Sequence, residues 1–380
     1  MITTSEVAII LRPMSKKKRA PQSNPTIPTT PTLVTPPTPP TLVPPPKNDP
    51  WLIYLGVGVI VLLLVGGVIA LLSNRSTTAP STPSSTNATQ PPTPQPARRT
   101  NIGRVTACQK NPAFSQNVGL GKRVVASTSS RGYKGMVVFD ATNPQNVYQH
   151  PTWDDLGALG QFVADAAGNI YVLPAMEISI SGPPDMHSKI YKVDTNNGEL
   201  KEFITIPAVG GISPENPFGV LSLTYDCDTN SLYASSVGGS TSDKEVGRIF
   251  HIDLARAKVT TQFENTDVVG LGIFNGVFGK RLYYGHARNP EVHSIALSDQ
   301  GDFVGQSRLE FALSELPNGS DDKARRLLFT DKRELNVRAW PFDYNLRAAS
   351  ETPKRLYHFK YQDQDDTWQF VNAEAIAEGQ

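Results

Sequence analysis

Residues 216–235 read NPFGVLSLTYDCDTNSLYAS, and residues 247–253 follow with GRIFHID. The first stretch is an apolar strand, a tight turn and a second strand ending in an aromatic residue. The second is a strand that closes on Asp before another turn. Both halves recur along the chain. QFVADAAGNIYVL at 161–173 and IFNGVFGKRLYYG at 273–285 repeat the first half. MVVFDATNPQNVYQH at 136–150, IYKVDTNNGELKEF at 190–203, IFHIDLARAKVTTQF at 249–263, VHSIALSDQGDFV at 292–304 and LYHFKYQDQDDTWQF at 356–370 repeat the second. Asp140, Asp194 and Asp253 take equivalent places, with Ala296 and Lys360 there in the last two copies.

Two alternating hairpins per unit, repeating at roughly 45 to 60 residues, predict an all-β propeller of four-stranded blades. Five units can be counted, at 105–150, 160–206, 218–264, 270–313 and 324–371. A sixth sheet would require 102–109 to pair with 373–377, so five and six blades both stay open at this point. A β-sandwich does not require the same hairpin pair to recur so regularly.

The Pro-x-Gly entry, the D-x-x-G-N-type turn and the strand ending in Asp resemble blades of the NHL, SMP-30 and TolB-like propellers; DAAGNIYVL and IYKVDTNNGEL carry the same features, and DTNNG also resembles quinoprotein-type blades. The resemblance spans nearly all of 105–370 and implies blade geometry alone. SMP-30-like lactonases hold a divalent metal with Glu, Asn and Asp side chains, and that set has no counterpart that can be placed on this sequence.

Upstream of the repeats the composition changes. Of 32 prolines, 19 fall in the first hundred residues. Residues 51–72, WLIYLGVGVIVLLLVGGVIALL, carry no charge and no proline. At about 1.5 Å per residue they are long enough to span a hydrocarbon core of roughly 30 Å, so a transmembrane helix in a lipid bilayer is expected there. Residues 1–50 form a basic, Pro/Thr-rich tail of six Lys/Arg against two acids, read as a disordered spacer. Starts at Met1 and at Met14 both stay open. Residues 73–100 form a Ser/Thr/Pro stalk, and 101–380 the folded domain. Lys16, Lys17, Lys18 and Arg19 weigh toward a cytoplasmic N-terminus, which places the propeller outside the cell membrane on a single-pass anchor.

The domain is acidic, with 27 Lys/Arg against 33 Asp/Glu, and the one basic cluster sits in the tail, so no nucleic acid is expected as partner. There is no nucleotide loop, zinc spacing or nucleophile elbow. The repeated Asp residues precede tight turns, where a carboxylate accepts nearby backbone N–H groups; this reads as structure rather than a catalytic ring. Gly157, Gly160, Gly219, Gly270 and Gly272 fall near the starts of inner strands, where a missing Cβ relieves crowding at the axis. His187, His286 and His293 lie near Glu177, Asp185 and Glu291, without the fixed spacing of a metal site; no metal or cofactor is predicted. Cys108 and Cys227, the only cysteines, permit one disulfide.

The connections inside each half are short, whereas those between halves are long, at 174–188, 236–248, 285–291 and 341–355. All the long connections emerge on one face of such a blade, so that face is the predicted binding surface. It presents Met176, Glu177, Asp185, His187, Asp243, Glu245, His286, Arg288, Trp340, Asp343, Tyr344 and Arg347. Two classes of function remain. One is a non-catalytic binding or scaffold module with a protein or glycan partner; the alternative is an extracytoplasmic propeller hydrolase or lactonase. Polar groups converging on the channel mouth would favour the second, and an apolar plug the first.

Overall fold

The computed structural model describes residues 101–175, 184–207, 210, 213, 215–317, 319, 321–344 and 354–376. The tail, the apolar run at 51–72 and the stalk lie outside the described residues. Among the described residues no helix is long and apolar enough to cross a membrane.

Among the described residues twenty strands form five antiparallel sheets; nineteen follow blade by blade in chain order, and β1 (Gly103–Arg104) joins the edge of the fourth sheet. Blade 1 holds β2 (Val124–Ser127), β3 (Val137–Asp140) and β4 (Val147–Tyr148). Blade 2 holds β5 (Leu159–Ala164), β6 (Ile170–Pro174), β7 (Lys189–Val193) and β8 (Leu200–Thr205). Blade 3 follows with β9 (Val220–Asp226), β10 (Ser231–Ser236), β11 (Arg248–Asp253) and β12 (Lys258–Glu264). Blade 4 is β13 (Val268–Gly276), β14 (Gly279–His286), β15 (Glu291–Leu297) and β16 (Phe303–Ala312). Blade 5 is β17 (Lys323–Phe329), β18 (Glu334–Trp340), β19 (Lys354–Gln362) and β20 (Thr367–Ile376). The protein is a five-bladed β-propeller.

Strand sequence follows position in the blade. Strands covered on both faces, such as β6 and β13, read as near-continuous apolar runs. On β6, Ile170 and Val172 enter the core between blades 1 and 2, while Tyr171 and Leu173 point the other way, into the core between blades 2 and 3. Outer strands alternate instead: on β12 Lys258, Thr260, Gln262 and Glu264 are more exposed than, or as exposed as, the residues between them. Further apolar cores join blade 3 to blade 4, around Leu271, Leu282 and Ile295, and blade 4 to blade 5, around Phe274, Tyr283 and Trp368. Among the described residues no apolar cluster joins blade 5 to blade 1, and Arg326, Leu328, Lys360 and Val371 of blade 5 are exposed.

The repeated Asp residues act as turn acceptors. Asp140, Asp194 and Asp253 each accept the backbone N–H two residues on, at 2.8 Å, as does Asp165. Hydrogen bonds from Thr142, chiefly its hydroxyl, hold the Asp140 carboxyl below its usual range, and the Asn196 N–H does the same for Asp194. Crowding explains two of the glycines: a Cβ on Gly270 would lie 2.4 Å from the Ala324 carbonyl oxygen, and one on Gly219 only 2.0 Å from that of His187. Gly157 differs from expectation, because a Cβ there meets nothing; its φ of +73° is what requires glycine.

The entry segment departs from the sequence reading in two ways. No sixth sheet forms among the described residues: β1 (Gly103–Arg104) adds to the edge of β13, and 373–376 stay on β20 against β19. Nor does 105–117 supply a fourth strand to blade 1, which has three among the described residues. That stretch lacks alternation and instead runs as a strap over the tight-turn face. Arg104 pairs with Asp331 in the first turn of blade 5, and β1 lies on blade 4. Cys108 is bonded to Cys227 in the first turn of blade 3, with Cα atoms 5.8 Å apart. The Gln109 amide donates to the Ala164 carbonyl at 2.8 Å in blade 2. The Phe114 N–H donates to the Thr195 carbonyl at 2.7 Å, and its ring enters the core between blades 1 and 2. The strap thus touches the blades in descending order.

Candidate functional site

The long connections bring distant residues together at the starts of the inner strands. The segment after β18 reaches across to blades 3 and 4, where the Phe342 ring packs 5.2 Å from Phe218 and Tyr344 joins Phe218, Val237, Val269 and Ala287 in an apolar cluster. With His187 backing onto Gly219, the starts of the inner strands of blades 3 and 4 are covered here by an apolar plug of side chains and backbone.

Beside the plug lies a polar node on Asp267, which is fully buried at the start of β13. One carboxylate oxygen accepts the Ser240 hydroxyl and the Gly247 N–H, the latter at 2.9 Å. The other accepts Arg288 Nε at 3.0 Å and the Tyr344 hydroxyl. A buried carboxylate needs such a full set of donors, since each missing one leaves charge desolvated. Glu245 closes the node from outside: it accepts the Asp267 N–H at 2.8 Å and faces His286 Nε2 at 3.4 Å. Burial holds His286 below the usual imidazole range, against the pull of Glu245. Burial and then Asp267 push the Tyr344 hydroxyl far above its usual pKa, so it stays protonated and donates.

From this node a row of alternating rings and cations crosses the face. The Arg288 guanidinium lies 5.2 Å from the Tyr344 ring centre, and Tyr344 lies 5.3 Å from Phe342. Arg325 follows, 5.1 Å from Phe342 and 4.8 Å from Trp340, and Lys354 lies 5.4 Å beyond Trp340. Apart from the edge-on Tyr344–Phe342 pair, each contact sets a cation against the negative face of a ring.

The predicted surface residues therefore separate. Glu245, His286, Arg288 and Tyr344 meet around Asp267, where Tyr344 is buried and anchored rather than displayed. Trp340 stands at the other end of the row. Asp243 and Asp343 are exposed, and His187 is half-buried under the plug. Met176, Glu177 and Arg347 lie outside the described residues, as does the side chain of Asp185. His286 and His293 come within 5.8 Å, but each faces its own carboxylate, Glu245 and Glu291, and no three ligating groups converge among the described residues. Sequence reading missed Asp267, Arg325, Phe342 and Lys354, whose only local signal is an Asp before an inner strand and an Arg pair inside an apolar one.

One catalytic-looking arrangement occurs on the opposite face. Ser231 Oγ lies 2.8 Å from His251 Nε2, and His251 Nδ1 lies 3.1 Å from Asp302 Oδ1. The order is that of an activated nucleophile. Yet Ser231 is only 4% exposed, the Tyr233 ring stacks on the imidazole at 5.0 Å, and Thr260 also reaches Nδ1 at 2.8 Å. With no room for a substrate at the hydroxyl, the arrangement acts as a clasp between blades 3 and 4.

No family model matches the chain, and no curated protein matches it. Solved structures with a similar fold include the N-terminal domain of Nup159, at 11% identity over 72% of this chain and 66% of that one, with a TM-score of 0.37. The β-propeller domain of Myceliophteria thermophila Cps50 (Swd1) is 10% identical over 64% and 68%, with a TM-score of 0.37. Streptogramin B lyase is 13% identical over 64% and 80%, with a TM-score of 0.34. This chain spans about two thirds of the first two. The likeness is one of fold, and function has to be argued from the residues of this chain.

Proposed function

We propose that the protein is a non-catalytic binding or scaffold module, a propeller of the NHL, SMP-30 or TolB-like kind, held outside the cell on a single membrane-spanning helix at 51–72. The observation that carries the reading is the plug: Phe218, Val237, Val269, Ala287 and Tyr344 pack as an apolar cluster over the inner strands of blades 3 and 4, and the polar groups beside it are committed to Asp267 and to one another. The uncharged run, the basic tail and the Ser/Thr/Pro stalk support the tether and its orientation. The binding surface is the long-loop face, because its backbone is free of ladder pairing and its partners are supplied by several blades.

Two measurements test this. Protease added to intact cells making the chain should release a fragment starting within 73–100; protection until lysis would overturn the orientation. Among the described residues the arrangement that favours a hydrolase is Ser231, His251 and Asp302, since the groups around Asp267 are taken up by one another. A fluorophosphonate probe should leave Ser231 unlabelled in the folded chain, and stoichiometric labelling there would replace the binding reading with the enzymatic one.

A further inference from the structure

The row of rings and cations is unevenly neutralised. At its blade 4 end, Arg288 donates to Asp267 and to the carbonyls of Ser242 and Thr241, at 2.7 and 2.6 Å for the latter two. At its blade 5 end, Arg325 and Lys354 have no carboxylate partner among the described residues. A half-buried guanidinium without an anion is unusual in a domain with six more acids than bases. Its placement is built into the backbone. Ala324 pairs with Ala339 and Arg326 with Arg338, so Arg325 is the extra residue of a β-bulge on β17. Such bulges re-aim a side chain out of the strand's alternation. Here the side chain is laid against Trp340 and Phe342.

We propose that Arg325 and Lys354, set on either side of Trp340, form a recognition site for carboxylate side chains of an acidic peptide segment in a protein partner. The inference rests on the binding-module reading and names the chemistry of its partner. A guanidinium stacked on rings keeps its N–H edge free, and that edge matches the two oxygens of one carboxylate. Trp340 already carries two cations, within 4.8 and 5.4 Å of its ring centre, and these compete with a sugar ring for the indole. That argues for a peptide over a glycan. Burial, and then Arg326, push the Arg325 guanidinium down to about 10, which still leaves it charged at neutral pH while marking a site that gains from an anion.

The test is a titration of the full-length chain in detergent micelles with a fluorescent deca-glutamate peptide, read by anisotropy. Saturable binding is expected. R325M should weaken it about tenfold or more, as expected for a lost charge-assisted hydrogen-bond pair. K354M should weaken it by about threefold, the size of an exposed ion-pair contribution. R256M, which removes an exposed arginine from a tight turn, should leave it unchanged. R325K keeps the charge without the fork and should weaken binding while preserving the melting temperature, which separates recognition from folding. Absence of saturable binding, or equal loss with R256M, overturns the proposal. So does binding of a glucuronate oligosaccharide or of inorganic phosphate in place of the peptide. A partner captured equally by the native chain and by R325M overturns this site while leaving the binding-module reading intact.

Discussion

The two faces of the propeller handle charge in opposite ways. On the tight-turn face the buried charges have partners of their own: Lys280 reaches Asp226 and Asp228, Arg308 reaches Asp366 at 2.9 Å, and Asp165 accepts the N–H groups of Ala167 and Asn169, the Asn169 amide and the Tyr171 hydroxyl. The strap then adds a covalent bond between Cys108 and Cys227. On the long-loop face the Asp267 node is equally complete, but the row that leaves it ends in two cations that have no anion among the described residues. A face closed by its own residues serves the fold, whereas one left with unsatisfied charge on rigid supports is available to a partner.

The comparison breaks first if the strap proves dispensable. The disulfide closes a loop across 119 residues, and a cross-link of that span is worth about 4 to 5 kcal/mol in the chain-entropy model. Replacing both cysteines with serine should lower the melting temperature by about 10 °C, measured with and without reductant in parallel. A shift of a degree or two would show that the strap rides on the turn face without holding it. Lys280→Met comes next. Asp226 is fully buried, and stripping its cation should cost about 3 kcal/mol, read by urea unfolding. Smaller still is Asp267→Asn on the other face. It keeps the shape but halves the acceptors for Arg288, Tyr344, Ser240 and Gly247, so about 2 kcal/mol is expected, together with a disordered loop after β18.

What was legible in the sequence was local. Asp165, Gly168 and Asn169 define a turn within five residues, and the alternation on either side assigns the strands to inner or outer positions. The five units and the close approaches at Gly219 and Gly270 follow from that. The strap was not legible because its contacts join residues up to 227 apart and no periodicity marks them. Arg325 was hidden for a related reason. In sequence it is one of two arginines in an apolar strand, and only the bulge in β17 and the path of residues 341–344 set it against two rings. Tyr344 shows the converse error: a tyrosine in a long loop reads as displayed, yet its hydroxyl is committed to Asp267 and its ring to the plug.

The smallest expected effect is a pH dependence that belongs to the long-loop face. His286 faces Glu245, Asp267, His293 and Glu291, and burial outweighs the acids, so its pKa in the folded protein lies below the reference value of 6.5. The unfolded chain therefore takes up the proton first as pH falls. The contribution of His286 is complete above about pH 6.5 and is lost progressively below it. The turn carboxylates Asp140 and Asp194 are also depressed, but their contribution is lost only as pH drops through the acidic range below about 4. Melting curves at pH 7.5, 5.5 and 3.5 separate the two. Between the first pair His286→Gln should flatten the decline, because glutamine takes no proton; between the second pair it should change nothing. If His286→Gln leaves the upper step intact, another group carries it, and the acids around the node hold the imidazole more strongly than burial releases it.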